Sequence, residues 1–124
     1  MTVALNHTIV PATDKMASAT FLANILGLDP PVRFGPFAVL ELDNGVSLDY
    51  IDATTIDSRH FAFIVDDNLF EPIFERIKAA TRYYADPMRS RPGETNDHDG
   101  GRGVYFDDPD DHLMEVITRP YGSQ

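Results

Sequence analysis

Apolar and polar residues alternate over residues 4–10, which predicts a β-strand that ends at Pro11. A helix is predicted next, because Ala17, Phe21 and Ile25 recur every four residues and form an apolar stripe. The predicted capping residues are Thr13 or Asp14 before the helix and Gly27 after Leu26. The first stretch of the chain therefore predicts a strand followed by a helix.

Two alternating segments, residues 36–42 and 46–52, follow this helix. Asp43-Asn44-Gly45 lies between them and is typical of a hairpin turn. A further short strand is predicted at Val32-Arg33-Phe34. The first half of the chain is thus predicted to fold in the order βαβββ.

The second half repeats this order. A strand is predicted from His60 to Val65, and a helix from Asp66 or Asp67 to about Ala80. The predicted buried stripe of that helix comprises Leu69, Phe70, Ile73, Phe74 and Ile77. Residues 86–101 are rich in Pro, Gly, Asp and Arg and predict a long loop with room for one edge strand. The last two strands are predicted at residues 102–107 and 112–119.

Composition limits the class of protein. The 124 residues predict one domain, 1–124, with modules at 4–53 and 58–119. The net charge of −10 argues against a nucleic-acid or anionic membrane partner. No cysteine is present, so disulfides and thiolate metal sites are excluded. We expect a cytoplasmic protein, because the N-terminus resembles no signal peptide and no apolar run is long enough to cross a bilayer.

Each half has a histidine on its first strand and an acid on its last strand. In the first half these residues are His7 and Asp49, and in the second half they are His60 and Glu115. Strand periodicity places His60 on the face opposite Phe61 and Phe63, which are expected to cover the helix side. Imidazole and carboxylate are suitable ligands for divalent transition metals. A metal centre between two pseudo-symmetric modules is one interpretation, and a polar metal-free pocket is the alternative.

The stretch from Gly103 to Glu115, Gly-Val-Tyr-Phe-Asp-Asp-Pro-Asp-Asp-His-Leu-Met-Glu, resembles the closing hairpin of the vicinal oxygen chelate superfamily. That superfamily includes glyoxalases, bleomycin-resistance proteins and extradiol dioxygenases. The resemblance implies an α+β fold in which two βαβββ modules form a cupped mixed sheet. Asp111 stands where the family usually has glycine, and aspartate tolerates the left-handed conformation of such a turn.

The same resemblance implies a ligand set. His7, His60 and Glu115 match the metal ligands of the family, for Fe, Zn, Ni or Mn. Asp49 matches the fourth position, where glyoxalases carry glutamate, and it is one methylene shorter. Small members form homodimers with shared sites, which implies His7 from one chain and His60 with Glu115 from its partner.

Two functions remain open at this point. In the first, a metal-dependent enzyme binds a small substrate through neighbouring oxygens, for lyase, isomerase or dioxygenase chemistry, with Tyr105 and Arg119 orienting the substrate. In the second, a metal-free protein sequesters a toxic natural product, as bleomycin-resistance proteins do. Its stacking residues would be Phe34, Phe37, Tyr50 and Tyr105. The other two histidines are predicted to lie outside the site, His98 on a solvated loop and His112 in a turn.

Overall fold

The structure is a computed structural model that describes residues 2–122. The chain divides into two compact units, Met1–Asp57 and Ser58–Gln124. Among the described residues, each unit contains one α-helix and one four-stranded mixed sheet, and the second unit also has a short 3₁₀ helix, His98–Gly100. The predicted α+β class and the repeated βαβββ order are therefore confirmed. Within residues 2–122, no helix is long and apolar enough to cross a membrane.

The first unit has one helix and four strands. They are β1 (His7–Ala12), α1 (Lys15–Leu26), β2 (Val32–Phe34), β3 (Phe37–Glu41) and β4 (Ser47–Asp52). The strand order is β1-β4-β3-β2, with β1 parallel to β4 and the other pairs antiparallel. The predicted short strand and the predicted hairpin are both present.

The first helix has the predicted ends but buries a different face. Asp14 accepts a hydrogen bond from the backbone N–H of Ala17, and Gly27 adopts a φ of 73° at the other end. Its buried residues are Ser18, Ala19, Leu22, Ala23 and Ile25. The predicted stripe was wrong at Ala17, which is exposed. Apolar residues lie on most sides of this helix, so the sequence alone is compatible with more than one buried face.

The first strand begins later and ends later than predicted. It spans His7–Ala12, so residues 4–6 lie outside it and Pro11 lies within it. Pro11 is paired in register with Ile51. Proline is tolerated here because β1 is the outer strand of its four-stranded sheet, where one side of the backbone needs no ladder hydrogen bond.

The second unit repeats the arrangement. Its elements are β5 (His60–Ile64), α2 (Asp67–Ala80), β6 (Tyr83–Tyr84), β7 (Gly103–Asp107) and β8 (Leu113–Ile117). The strand order is β5-β8-β7-β6, and β5 is parallel to β8. Phe70, Ile73 and Ile77 are buried as predicted, whereas Phe74 is half-buried and Leu69 is 45% exposed.

The loop at residues 86–101 is held by hydrogen bonds at several points. The short strand of this region is β6, which precedes the loop instead of lying within it. Arg89, at a left-handed φ of 57°, donates from Nε to Oδ1 of Asp107 at 2.8 Å. The Tyr84 hydroxyl donates to the other oxygen of Asp107 at 2.7 Å. The loop is thereby fastened to the end of β7.

The turn between β7 and β8 keeps the geometry expected of the family. Asp111 has a φ of 64°, the left-handed conformation predicted for this position. His112, predicted to be a turn residue, lies between this turn and the start of β8, and it is fully buried. Its Nδ1 accepts a hydrogen bond from the backbone N–H of Arg59 at 3.0 Å, so the imidazole ties the start of β5 to the start of β8.

Candidate metal centre

His60 and Glu115 come together on one face of the second sheet. The two strands run parallel with Ala62 opposite Glu115, so the histidine lies two residues before the paired position. Nε2 of His60 lies 2.9 Å from Oε1 of Glu115. The Glu115 side chain is only 3% exposed, whereas that of His60 is 42% exposed. A buried carboxylate is thus paired with an imidazole that solvent can reach.

Tyr105 lies beside this pair. It is directly opposite Glu115 on the antiparallel strand β7. Its ring meets the His60 ring edge-on, with centroids 5.9 Å apart. Burial, and then the neighbouring Glu115 carboxylate, raise the pKa of the Tyr105 hydroxyl far above its usual range. A tyrosine hydroxyl is protonated at neutral pH in any case, so the raised pKa extends its protonated range further into alkaline pH.

Arg119 is occupied by an ion pair. Its two terminal nitrogens donate to the two carboxylate oxygens of Asp67, at the start of α2, at 2.9 and 3.1 Å. The hydrogen bond from Arg119 lowers the pKa of Asp67. A substrate that used Arg119 would have to share or replace this pair, so the predicted substrate contact stays a prediction.

Sequence reasoning missed Tyr121. Its hydroxyl lies 3.4 Å from Oε1 of Glu115, the same oxygen that contacts His60. The negative charge of Glu115 is the largest cause of the raised pKa of Tyr121. Tyr121 follows the end of β8 and belongs to no periodic pattern. The sequence therefore indicates only that Tyr121 is six residues after Glu115, not that the two side chains meet.

In the first unit, His7 and Asp49 line one cavity of about 820 Å³. The apolar part of its wall is formed mainly by Leu28, Val32, Phe34, Phe37 and Val39. Phe34 and Phe37 thus lie where a planar ligand could stack. Tyr50, proposed for the same role from the sequence, is fully buried and points the other way, because it alternates with Asp49 along β4.

The His7 and Asp49 side chains that line this cavity each have a polar neighbour within hydrogen-bonding distance. Nδ1 of His7 lies 2.7 Å from Oδ1 of Asn6, and the Ser47 hydroxyl donates to Oδ1 of Asp49 at 2.8 Å. Neither Asn6 nor Ser47 was predicted from the sequence to be a site residue. Ser47 could have been found, because residues two apart on a strand share a face.

The two units match at the level of strand register. In the first unit, Asp49 is opposite Ile9, and Ile9 is the second residue after His7. In the second, Glu115 is opposite Ala62, two residues after His60. The halves differ in the contact made, because no His7–Asp49 hydrogen bond corresponds to the His60–Glu115 pair within residues 2–122.

The donor atoms fit a divalent transition metal. His60 offers an accessible imidazole nitrogen, and Glu115 offers a buried carboxylate already held in one orientation. His7 offers a second, exposed imidazole in the first unit. No cluster of three or more potential ligand side chains is gathered within the described residues 2–122. His98 is exposed on its loop, as predicted.

Comparison with known proteins identifies the family. No family profile matches the chain. Glutathione transferase FosA from Serratia marcescens is 31% identical over 119 residues, which cover 90% of this chain and 78% of that protein. The chain belongs to the vicinal oxygen chelate superfamily.

Solved structures of the superfamily include much more similar chains. Oxidase ChaP-H1 is 54% identical with a TM-score of 0.95, covering 98% of this chain and 100% of that chain. Oxidase ChaP-H2 is 57% identical with a TM-score of 0.95, covering 99% and 98%. The fosfomycin resistance protein FosX from Listeria monocytogenes is 21% identical with a TM-score of 0.73, covering 100% and 97%, and shows the shared fold alone.

Proposed function

We propose that this protein is a metal-dependent oxidase that acts on a small substrate bound through two neighbouring oxygens. A divalent metal is held by His7, His60 and Glu115, with Asp49 beside it at the fourth position. The observation that carries the metal site is the His60–Glu115 pair at 2.9 Å, repeated in register by His7 and Asp49.

The reaction class rests on the similar structures. The two proteins that are 54% and 57% identical over nearly the whole chain are both named oxidases. The glutathione transferase is more distant, at 31% identity. The fold alone would not distinguish these chemistries. A metal that passes electrons from the substrate to dioxygen must change its oxidation state, which favours Fe or Mn over Zn.

A bound metal would supply Lewis acidity and a path for electrons to dioxygen. The chain supplies the rest of the site. The buried Glu115 carboxylate and the two imidazoles bind the ion in their deprotonated forms. Tyr105, which keeps its proton, donates a hydrogen bond that orients a substrate oxygen. The apolar wall of the cavity around Phe34 and Phe37 excludes water from the substrate.

The proposed reaction is a two-electron oxidation of the substrate by dioxygen. The substrate gives up two electrons and two protons, and dioxygen accepts them to form hydrogen peroxide. A vicinal diol or an α-hydroxyketone contains the required neighbouring oxygens and can lose two hydrogens. Such compounds are therefore the first substrates to test.

We propose further that the active form is a homodimer with shared sites. Each site takes His7 from one subunit and His60 with Glu115 from the other. An exposed His7 and an exposed His60 in each chain leave both imidazoles available to a partner. A two-fold dimer of this kind would contain two equivalent sites.

Oxygen uptake tests the proposed reaction. Wild-type protein loaded with Fe²⁺ or Mn²⁺ should consume oxygen with at least one catechol or α-hydroxyketone from a panel. The His60→Ala variant should lose at least about 100-fold in rate, because it removes a metal ligand. His98→Ala is the matched control and should behave as wild type, because His98 is exposed on a loop.

Three results would contradict this proposal. One is equal oxygen uptake by wild type and His60→Ala. Another is no uptake with any compound by protein that contains stoichiometric metal. The third is tight binding of an aromatic cation by metal-free protein without turnover, which would favour sequestration of a natural product.

A further inference from the structure

We propose that Tyr121 is a positioning residue for Glu115, and that the C-terminal segment 119–122 is fastened so that its hydroxyl reaches the carboxylate. This inference rests on the proposed function, because it concerns the orientation of a metal ligand. All of the contacts that support it lie within the second unit.

His60 is one of several groups that can donate a hydrogen bond to the Glu115 carboxylate, because the hydroxyls of Tyr105 and Tyr121 also reach it. Nε2 of His60 lies 2.9 Å from Oε1 of Glu115. A ring nitrogen that donates to a carboxylate carries a proton, whereas one that binds a metal does not. Metal binding through Nε2 therefore removes this donor. The Tyr121 hydroxyl, 3.4 Å from the same oxygen, remains able to donate.

The segment that contains Tyr121 is held at both ends. At its start, Arg119 makes the two-pronged ion pair with Asp67. At its end, the backbone N–H of Gly122 donates to Oδ1 of Asp99 at 3.1 Å. Pro120, between them, restricts the backbone further. Tyr121 is thus confined to a short segment fixed by one contact to α2 and one to the 86–101 loop.

Core packing does not explain the position of this tyrosine. Tyr121 is 74% exposed, so little of its ring is buried against the protein. Its hydroxyl nevertheless turns towards a carboxylate that is almost fully buried. Outer hydrogen-bond partners of metal-binding side chains commonly fix the orientation of the ligand and tune its affinity. Arg119 therefore contributes to the site by holding the segment.

The test uses metal affinity and an independent spectroscopic measurement. Tyr121→Phe should weaken Co²⁺ or Mn²⁺ binding to the full chain by about 3- to 10-fold, the worth of one ordinary hydrogen bond. The urea midpoint should not change, because the ring is mostly exposed. Tyr83→Phe, which removes the hydroxyl of a tyrosine on the edge strand β6, is the control and should leave metal affinity unchanged.

The second measurement needs no metal. Without added metal, Tyr121→Phe should shift the ¹⁵N resonances of the His60 ring, because Oε1 of Glu115, which His60 also contacts, loses the Tyr121 hydroxyl. Asp67→Asn, which weakens one anchor, should shift them in the same direction by a smaller amount. If wild type binds no metal, the proposed function fails, yet this spectrum still tests the position of Tyr121.

The inference is overturned by either of two results. One is metal binding by Tyr121→Phe with wild-type affinity. The other is a His60 ring spectrum in Tyr121→Phe that is identical to that of wild type. Neither result would affect the metal site itself, because wild-type metal binding is measured in the same experiment.

Discussion

At the scale of single residues, burial gives the two acids of the repeat different properties. Glu115 is 2% exposed, and its Oε1 lies near His60 and Tyr121. Asp49 is half-buried and has its hydrogen bond from Ser47. Its side chain is one methylene shorter than glutamate, which makes Asp49 the weaker candidate for direct metal binding, as the resemblance to glyoxalases also implies.

Tyr105 should make the protein sensitive to alkali. Burial raises the pKa of its hydroxyl in the folded state above the value of 10.0 of an unfolded tyrosine. Below that pH both states are protonated, and the free energy of unfolding is unaffected. As the pH rises further, the unfolded state loses its proton first, so stability falls by up to about 1.4 kcal/mol per pH unit. Tyr105→Phe should reduce this slope.

Urea unfolding of both proteins at pH 8, 10 and 11 measures this effect. As the pH rises, the unfolding free energy of the wild type should fall more than that of Tyr105→Phe. A difference between the two proteins that is constant over this range would show that the Tyr105 hydroxyl ionises as freely in the folded protein as in the unfolded chain.

At this scale, sequence periodicity was informative where a residue lies within a strand. Alternation along β5 placed His60 on the face opposite Phe61 and Phe63, and the 2.9 Å contact shows that Glu115 reaches the same side. Tyr121 was missed because it lies beyond β8, where direction depends on the contacts of Arg119 and Gly122. Those contacts join residues more than 20 positions apart, and no local pattern encodes them.

At the scale of elements, boundaries marked by special backbone geometry were predicted best. Asp14 and Gly27 fixed the ends of α1, because a capping side chain and a left-handed glycine leave a local signal. The buried face of α1 was not predicted well, because the strands beneath the helix select it. Pro11 was misjudged because its effect depends on whether the strand is an outer one, which the sequence does not state.

The 86–101 loop gives the prediction for this scale. Arg89 adopts a left-handed φ of 57° while it pairs with Asp107, so its ion pair offsets backbone strain. Arg89→Ala should lower the unfolding free energy by about 1–2 kcal/mol, because the strain remains and Asp107 loses a partner. Arg89→Gly should recover about 1 kcal/mol of this loss, because glycine adopts the same φ without cost.

Urea unfolding of both variants is the measurement, with Arg91→Ala as the control. Arg91 makes an exposed ion pair with Glu94 on the same loop. Arg91→Ala should therefore lower the unfolding free energy by less than about 0.5 kcal/mol. Equal stabilities for Arg89→Ala and Arg89→Gly would contradict the strain. Equal effects at Arg89 and Arg91 would contradict the anchoring role of Asp107.

At the scale of the whole molecule, the repeat was the strongest sequence signal. It predicted the βαβββ order of both units, and the register of both sheets places each acid two residues beyond its histidine. The sequence could not supply the reaction class, because one fold hosts several chemistries. The net charge of −10 narrows the possible partners but does not identify a substrate.

The proposed metal site takes ligands from two subunits, and mixed dimers can show whether it does. His7→Ala and His60→Ala subunits with different affinity tags are coexpressed, and the mixed dimer is purified through both tags. One of its two sites then lacks both histidines, and the other retains both.

The metal content of this mixed dimer, determined by elemental analysis after reconstitution, is the decisive measurement. We expect about one metal ion per mixed dimer, about two per wild-type dimer and close to none in either parent variant. A mixed dimer without metal, beside a wild type with two ions, would show that the ligands do not combine across subunits. A wild-type protein that takes up no metal would contradict the metal site altogether.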